Sequence, residues 1–246
     1  MKFPHPLHSG RILKRYKRFL ADVRLDSTGE IITVHTPNTG SMKTCWGPQW
    51  PVYLSKHEGT QRKYPFTLEM THNGRCWIGV NTSLPNKIVH EALAQKKIPE
   101  LASYDTIVPE RPVMAFVNGK EEKGRLDFWL EDPQKKTSCF VEVKSVTLGN
   151  EEGVVSFPDS PSERGRKHLH LLSQLITPSQ RAVIFYLVQR EDGILFRPAE
   201  DIDPLYAQIL QEVHQQGRPG GVEVLVYQCQ ITPQEIQIKR SLPFEY

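Results

Sequence analysis

The pattern of apolar positions changes character near Thr82. Before it, Arg62–Met70 and Arg75–Val80 read as two strands joined by an Asn73-Gly74 turn, the dipeptide favoured in tight hairpins. The run Arg11-Ile12-Leu13-Lys14-Arg15-Tyr16-Lys17-Arg18-Phe19-Leu20 is ambiguous in period. Ile12, Tyr16, Phe19 and Val23 fit a helix. The Ile, Tyr and Phe content and the following Asp26-Ser27-Thr28-Gly29 turn fit a strand entering a hairpin, with Glu30–Thr36 as the return strand. Residues 1–80 therefore read as a small β unit.

After Thr82, helical spacing begins. Ile88, Ala92 and Leu93 mark a helix over Asn86–Lys97 that ends before Ile98-Pro99. Strands are expected at Val113–Val117, Gly124–Leu130 and Cys139–Val146. Ser160-Pro161-Ser162-Glu163 reads as a capping box with proline at the first helical position, opening a helix whose buried stripe is Leu169, Leu172 and Ile176. Arg181–Gln189 is apolar throughout its middle, as expected of a strand covered on both faces. Asp203-Pro204 then caps a helix to about Gln216, and Val222–Gln230 and Glu235–Arg240 close the chain as strands. There is no internal repeat.

Composition narrows the class. With 38% hydrophobic and 24% charged residues the chain is an ordinary globular sequence, and 19 prolines with 16 glycines favour short elements over a helical bundle. The longest apolar run, Ala182–Val188, is too short to span a bilayer, and Met1-Lys2-Phe3-Pro4-His5-Pro6 has no apolar signal core. A soluble cytoplasmic protein with no membrane partner is expected. Cys45, Cys76, Cys139 and Cys229 form no close pair, so reduced thiols are expected rather than a zinc site. The formal net charge of +3 is unevenly spread. Residues 1–80 hold 12 Lys and Arg against 5 Asp and Glu, whereas residues 81–246 hold 19 against 23. That asymmetry suggests two units, 1–80 and 81–246, the basic one with a polyanionic partner.

The strongest chemical constellation is Asp127 within Arg125-Leu126-Asp127-Phe128, followed by Glu142-Val143-Lys144. Alternate side chains of a strand share a face, so Glu142 and Lys144 emerge together, and Asp127 on the preceding strand can face them. Two such carboxylates suit Mg²⁺, with Mn²⁺ as a substitute, because these hard cations take oxygen ligands and retain waters. Lys144 would then help orient or deprotonate a water attacking a phosphodiester. The alternative is a surface salt-bridge ladder. Against that, the Glu-x-Lys interrupts the apolar Phe140, Val141, Val143 and Val146, where unpaired charge is costly. The preceding helix offers Glu91, and the following helix has a basic first half.

Four segments resemble the sugar fermentation stimulation protein A family. They are His35-Thr36-Pro37-Asn38-Thr39-Gly40-Ser41-Met42; Gly79-Val80-Asn81-Thr82 with Pro85-Asn86; Arg125-Leu126-Asp127-Phe128 with Val141-Glu142-Val143-Lys144-Ser145-Val146-Thr147-Leu148; and Phe157-Pro158-Asp159 with Glu163-Arg164-Gly165-Arg166-Lys167-His168-Leu169. The resemblance implies a two-domain α/β (α+β) fold: an N-terminal OB-like β-barrel followed by a PD-(D/E)XK restriction-endonuclease-like domain. It carries nuclease-like roles onto Asp127, Glu142 and Lys144, and more loosely onto Glu91. Leu126 stands where that motif has its proline. The family is described as binding DNA non-specifically and is linked by name to sugar, particularly maltose, utilisation.

A basic barrel groove suits a DNA backbone, through counterion release and base stacking. Arg11, Lys14, Arg15, Lys17 and Arg18, interleaved with Tyr16 and Phe19, supply both ingredients. Arg164, Lys167 and His168 would meet a phosphate near the metal. Three functions follow: a DNA-binding regulator on a nuclease-like scaffold, a Mg²⁺-dependent nuclease, or a small-ligand-binding regulator. A homodimer is compatible with all three. Other patterns carry less: His168 and His170 diverge on a helix, Asp203 before Pro204 is an N-cap, and Gly217-Arg218-Pro219-Gly220-Gly221 lacks the lysine of a phosphate loop.

Overall fold

The computed structural model describes the chain from Met1 to Tyr246 apart from residues 58, 60, 61, 118 and 216–219. The end placed near Gln216, and residues 217–219 of the glycine-rich loop, lie outside the described residues. The first half contains β1 (His8–Tyr16), β2 (Leu20–Leu25), β3 (Ile31–His35), β4 (Pro51–Lys56), β5 (Phe66–His72) and β6 (Trp77–Gly79). They run in the order β3-β2-β1-β4-β5-β6, and a β3–β5 pairing at His35↔Thr67 closes the first five into an OB-like barrel. Its core gathers Ile12, Val23, Val34, Leu54, Leu68 and Ile78.

The basic run is two strands rather than one. The chain reverses at Lys17 and Arg18, both at left-handed φ (49° and 63°). Ile12 then pairs with Val23 and Tyr16 with Leu20 across the hairpin, so residues with helical spacing are partners in a ladder. No Asn-Gly or Asp-Gly marks this turn. The Asp26–Gly29 turn instead joins β2 to β3, with Gly29 at φ 72°.

The second half contains α1 (Pro85–Ala94), a 3₁₀ turn (Pro99–Leu101), β7 (Thr106–Val117), β8 (Lys120–Asp132), β9 (Thr137–Val146), β10 (Leu148–Gly149) and β11 (Val154–Phe157). There follow α2 (Glu163–Gln174), β12 (Gln180–Val188), β13 (Leu195–Pro198), α3 (Pro204–Gln215), β14 (Glu223–Ile231) and β15 (Ile236–Ser241). The main sheet is ordered β15-β14-β12-β9-β8-β7, with β9, β12 and β14 parallel and the outer pairings antiparallel. Helices cover both faces, which explains the unbroken apolar β12. Val183, Phe185 and Leu187 meet Ile88, Val89 and Leu93 of α1. Ala182, Ile184 and Tyr186 meet Leu169 and Leu172 of α2 and Leu210 of α3.

Helix α2 starts two residues later than its capping box suggests. Ser162, not Ser160, is the N-cap, its Oγ accepting from the Gly165 amide at 3.0 Å, and Glu163 becomes the first helical residue. Ile176 lies beyond the helix end. Asp203 caps α3 as expected, its Oδ1 accepting from Tyr206 N at 3.0 Å.

The two halves are bonded along a seam. Gly79 N donates to Gln189 O (2.9 Å), Ser41 N to Asp159 Oδ2 (3.0 Å) and Asn73 Nδ2 to Asp192 Oδ2 (2.9 Å). Arg190, almost wholly buried, donates across the seam to Thr44 Oγ1 at 3.4 Å, and within the second half it donates to Thr147 O at 3.0 Å and pairs with Asp192 at 2.6 Å. An added Cβ at Gly40 would overlap Asp159 Oδ2, so a larger residue there would displace the carboxylate that Ser41 N donates to.

Candidate carboxylate–lysine site

Strands β8 and β9 pair from Asp132↔Thr137 to Phe128↔Val141. One residue further on, the Asp127 side chain takes the place of the ladder, its Oδ2 accepting from Val143 N at 2.7 Å. Its Oδ1 accepts from Asn86 Nδ2 of α1, also at 2.7 Å. Val141 and Val143 face α1, so Glu142 and Lys144 project from the opposite face toward α2. Lys144 Nζ donates to Glu142 Oε1 at 2.7 Å, and the same oxygen receives Nδ1 of His168 from the second turn of α2. Glu142 is only 3% exposed, and its Oε2 is buried without a hydrogen-bond partner.

The electrostatics separate the two acids. Burial, reinforced by the Glu142 charge, holds the Asp127 carboxyl above the usual range. Burial also opposes ionisation of Glu142, but the Lys144 charge and the His168 contact outweigh it, and its pKa lies below the ordinary value. Glu142 is thus an ionised carboxylate with one oxygen occupied and the other free.

The remaining candidates are distributed. Glu91 lies on α1 beside a cavity of about 440 Å³ that it lines with Asn86, His90, Asp127 and Phe128. Its carboxylate is taken by the Met1 ammonium at 3.0 Å, whose hydrogen bond lowers the Glu91 pKa. His168 is 4% exposed and sits with Glu142 rather than on the surface. Arg164 and Lys167 line a separate cavity of about 560 Å³, where Lys167 pairs with Glu122 at 2.6 Å. Among the described residues no group of three or more His, Cys, Asp or Glu is arranged to hold a metal. Asp127 and Glu142 are the two carboxylates near Lys144, and the charge of Glu142 is felt at Asp127.

The basic hairpin is also divided. Arg11, Lys14, Lys17 and Arg18 are exposed, although Lys14 pairs with Asp22 at 3.2 Å and Arg18 Nε donates to Thr39 O. Tyr16 donates its hydroxyl to Asp22 at 2.8 Å. Arg15 faces inward: its Nη2 donates to the carbonyls of Arg18 (2.6 Å), Asn38 (2.9 Å) and Gly40 (3.1 Å). Sequence reading gave no role to the amide of Asn86 or the Glu142–His168 contact. The signals for Asn86 were its place directly after Pro85 at a helix start and its presence in one of the segments that resemble the family.

A closed OB-like barrel joined to a mixed sheet with helices on both faces, its acids and lysine on neighbouring strands, defines an OB plus restriction-endonuclease-like architecture. Family models agree. Residues 13–80 match the SfsA N-terminal OB domain, and residues 83–235 match the sugar fermentation stimulation protein RE domain. The chain belongs to the sugar fermentation stimulation protein family. It is 43% identical over 243 residues to the homolog of Citrifermentans bemidjiense, covering 99% of each chain. The homolog of Nitrosococcus oceani is 43% identical over 244 residues, again covering 99% of each. The solved structure of Pyrococcus furiosus SfsA in complex with Ca²⁺ superposes with a TM-score of 0.83 at 25% identity, over 100% of this chain and 98% of that one.

Proposed function

We propose that this protein binds DNA without sequence preference and holds a divalent cation between Asp127 and Glu142, in a site able to hydrolyse phosphodiesters. The observation that carries this reading is the unpartnered, buried Oε2 of an ionised Glu142 beside a second carboxylate. A buried anionic oxygen without a donor is costly, and a hard cation is the ligand that would relieve it. The Pyrococcus relative, solved with Ca²⁺, supports a divalent site in the family. The OB-like barrel with its exposed Lys17 and Arg18 supports a nucleic-acid partner.

Asp127 is held by Asn86 and Val143 N, and Glu142 by Lys144, so both acids are pre-oriented for a cation. A bound Mg²⁺ or Mn²⁺ would supply charge stabilisation at the phosphate. The Lys144 ammonium, beside Glu142, orients a phosphodiester oxygen or an attacking water. Labelled single- and double-stranded DNA, incubated with Mg²⁺, Mn²⁺ or EDTA, tests this. Wild type should cut only with metal, while Glu142→Gln and Lys144→Ala should lose at least about 100-fold in rate yet still retard DNA. Equal cutting by wild type and both variants overturns the site. The relatives' name supports a second reading, a DNA-binding regulator of sugar utilisation, and DNA retarded but intact in every lane favours it.

A further inference from the structure

We infer that His168 is the positioning residue of the Glu142 carboxylate, fixing which of its two oxygens faces a cation. The inference rests on the cation reading above and assigns a role to a residue outside the donor pair. A carboxylate oxygen has two lone pairs and only accepts hydrogen bonds. Glu142 Oε1 receives two donors, Lys144 Nζ and His168 Nδ1, while Oε2 receives none. One oxygen is saturated and the other is vacant, a division that Lys144 alone would not impose. With His168 removed, each oxygen has an open lone pair, and rotation about the terminal torsion makes them interchangeable.

The imidazole is well placed for this work. It is 4% exposed, so it meets no bulk solvent or surface phosphate. The Ser162 cap fixes the start of α2. Arg166 anchors the helix to Asp203, with 2.8 Å to each carboxylate oxygen. Leu169, Leu171 and Leu172 are fully buried around it, and Leu171 packs so closely on β8 that a Cβ at Gly124 would lie 2.6 Å from its Cδ1. The ring is thereby held rigidly against β9, and the contact requires the Nδ1-protonated tautomer. Outer partners of metal ligands act in this way, and removing one costs about 10–100-fold in metal affinity.

The test is Ca²⁺ binding by calorimetry on the full chain, comparing wild type, His168→Leu and His168→Asn. Asn can present an amide N–H near the place of Nδ1, whereas Leu fills the space without a donor. His168→Leu should weaken Ca²⁺ binding by about 10-fold or more. His168→Asn should restore it to within about 3-fold, with metal-free melting temperatures of the two variants alike. A purely structural role predicts Ca²⁺ affinity unchanged in both variants whatever their melting temperatures, and that result overturns the inference. Nitrogen-15 spectra of the metal-free wild type supply a second readout that needs no variant to fold. They should show a hydrogen-bonded Nδ1–H at His168 whose shift moves in Glu142→Gln, and an Nε2–H tautomer overturns the inference. Wild type that binds Ca²⁺ no better than His168→Leu overturns this inference alone. Wild type that takes up neither Ca²⁺ nor Mn²⁺ overturns the cation reading and this inference with it.

Discussion

Arg15 sits in the middle of the basic run but is withdrawn from it, because one of its nitrogens gathers three carbonyls of the hairpin and the loop that follows β3. Charge count alone therefore overstates the cationic surface here. Arg15→Ala should lower stability by about 1–3 kcal/mol, read from a urea midpoint, with little change in the salt slope of DNA binding. Lys17→Glu with Arg18→Glu should do the reverse: near-wild-type stability, weaker binding to every DNA sequence, and a log–log salt slope reduced by about 2. An unchanged slope would remove the hairpin from the contact surface. Burial pushes the Cys139 thiol up to about 12 and also raises Cys45, Cys76 and Cys229. All four should resist thiol reagents at pH 8 until the protein unfolds. The Glu142–Lys144 contact was legible because a strand's two-residue period is written in the sequence. The His168 and Asn86 contacts were not, since each depends on how a helix docks onto the sheet.

Elements were legible in proportion to how strongly one environment shaped them. The central β12 announces itself because both its faces are covered. Strand β7 did so only over Val113–Val117, although it begins at Thr106. Pro109 and Pro112 argue against a strand, yet β7 is the edge of the sheet, where a missing amide costs no ladder bond. The start of α2 was displaced because Ser160 and Ser162 both precede acidic or apolar helical positions, and only packing decides between them. Ser162→Ala should cost about 1 kcal/mol of stability, measured by chemical denaturation, while Ser160→Ala should be near neutral. Equal effects would move the cap back to Ser160. The β1–β2 hairpin escaped notice because its turn uses Lys17 and Arg18 at positive φ, a conformation usually left to glycine or asparagine.

At the scale of the whole molecule, the seam decides behaviour. Arg190 joins Thr44 of the barrel loop to Thr147, just beyond β9, and ion-pairs with Asp192, whose carboxyl is driven up by burial but held down to about 2 by the Arg190 hydrogen bonds and charge. A folded pKa below the unfolded value of about 3.8 stabilises the native state above pH 4 and ceases to do so as pH falls through about 2. Asp192→Asn should lower the melting temperature at pH 7 and flatten its decline between pH 4 and 2. A decline as steep as that of wild type would show the pair to be inert. Arg190→Met should split a single calorimetric transition into two, because the barrel and the α/β half would no longer unfold together. Their bonding at Gly79, Ser41, Asn73 and Arg190 has one more effect. Under the proposed function, a DNA strand lying on the Lys17–Arg18 hairpin would be offered to Glu142 at a distance set by backbone, which would make the chain a gauge rather than a pair of jaws.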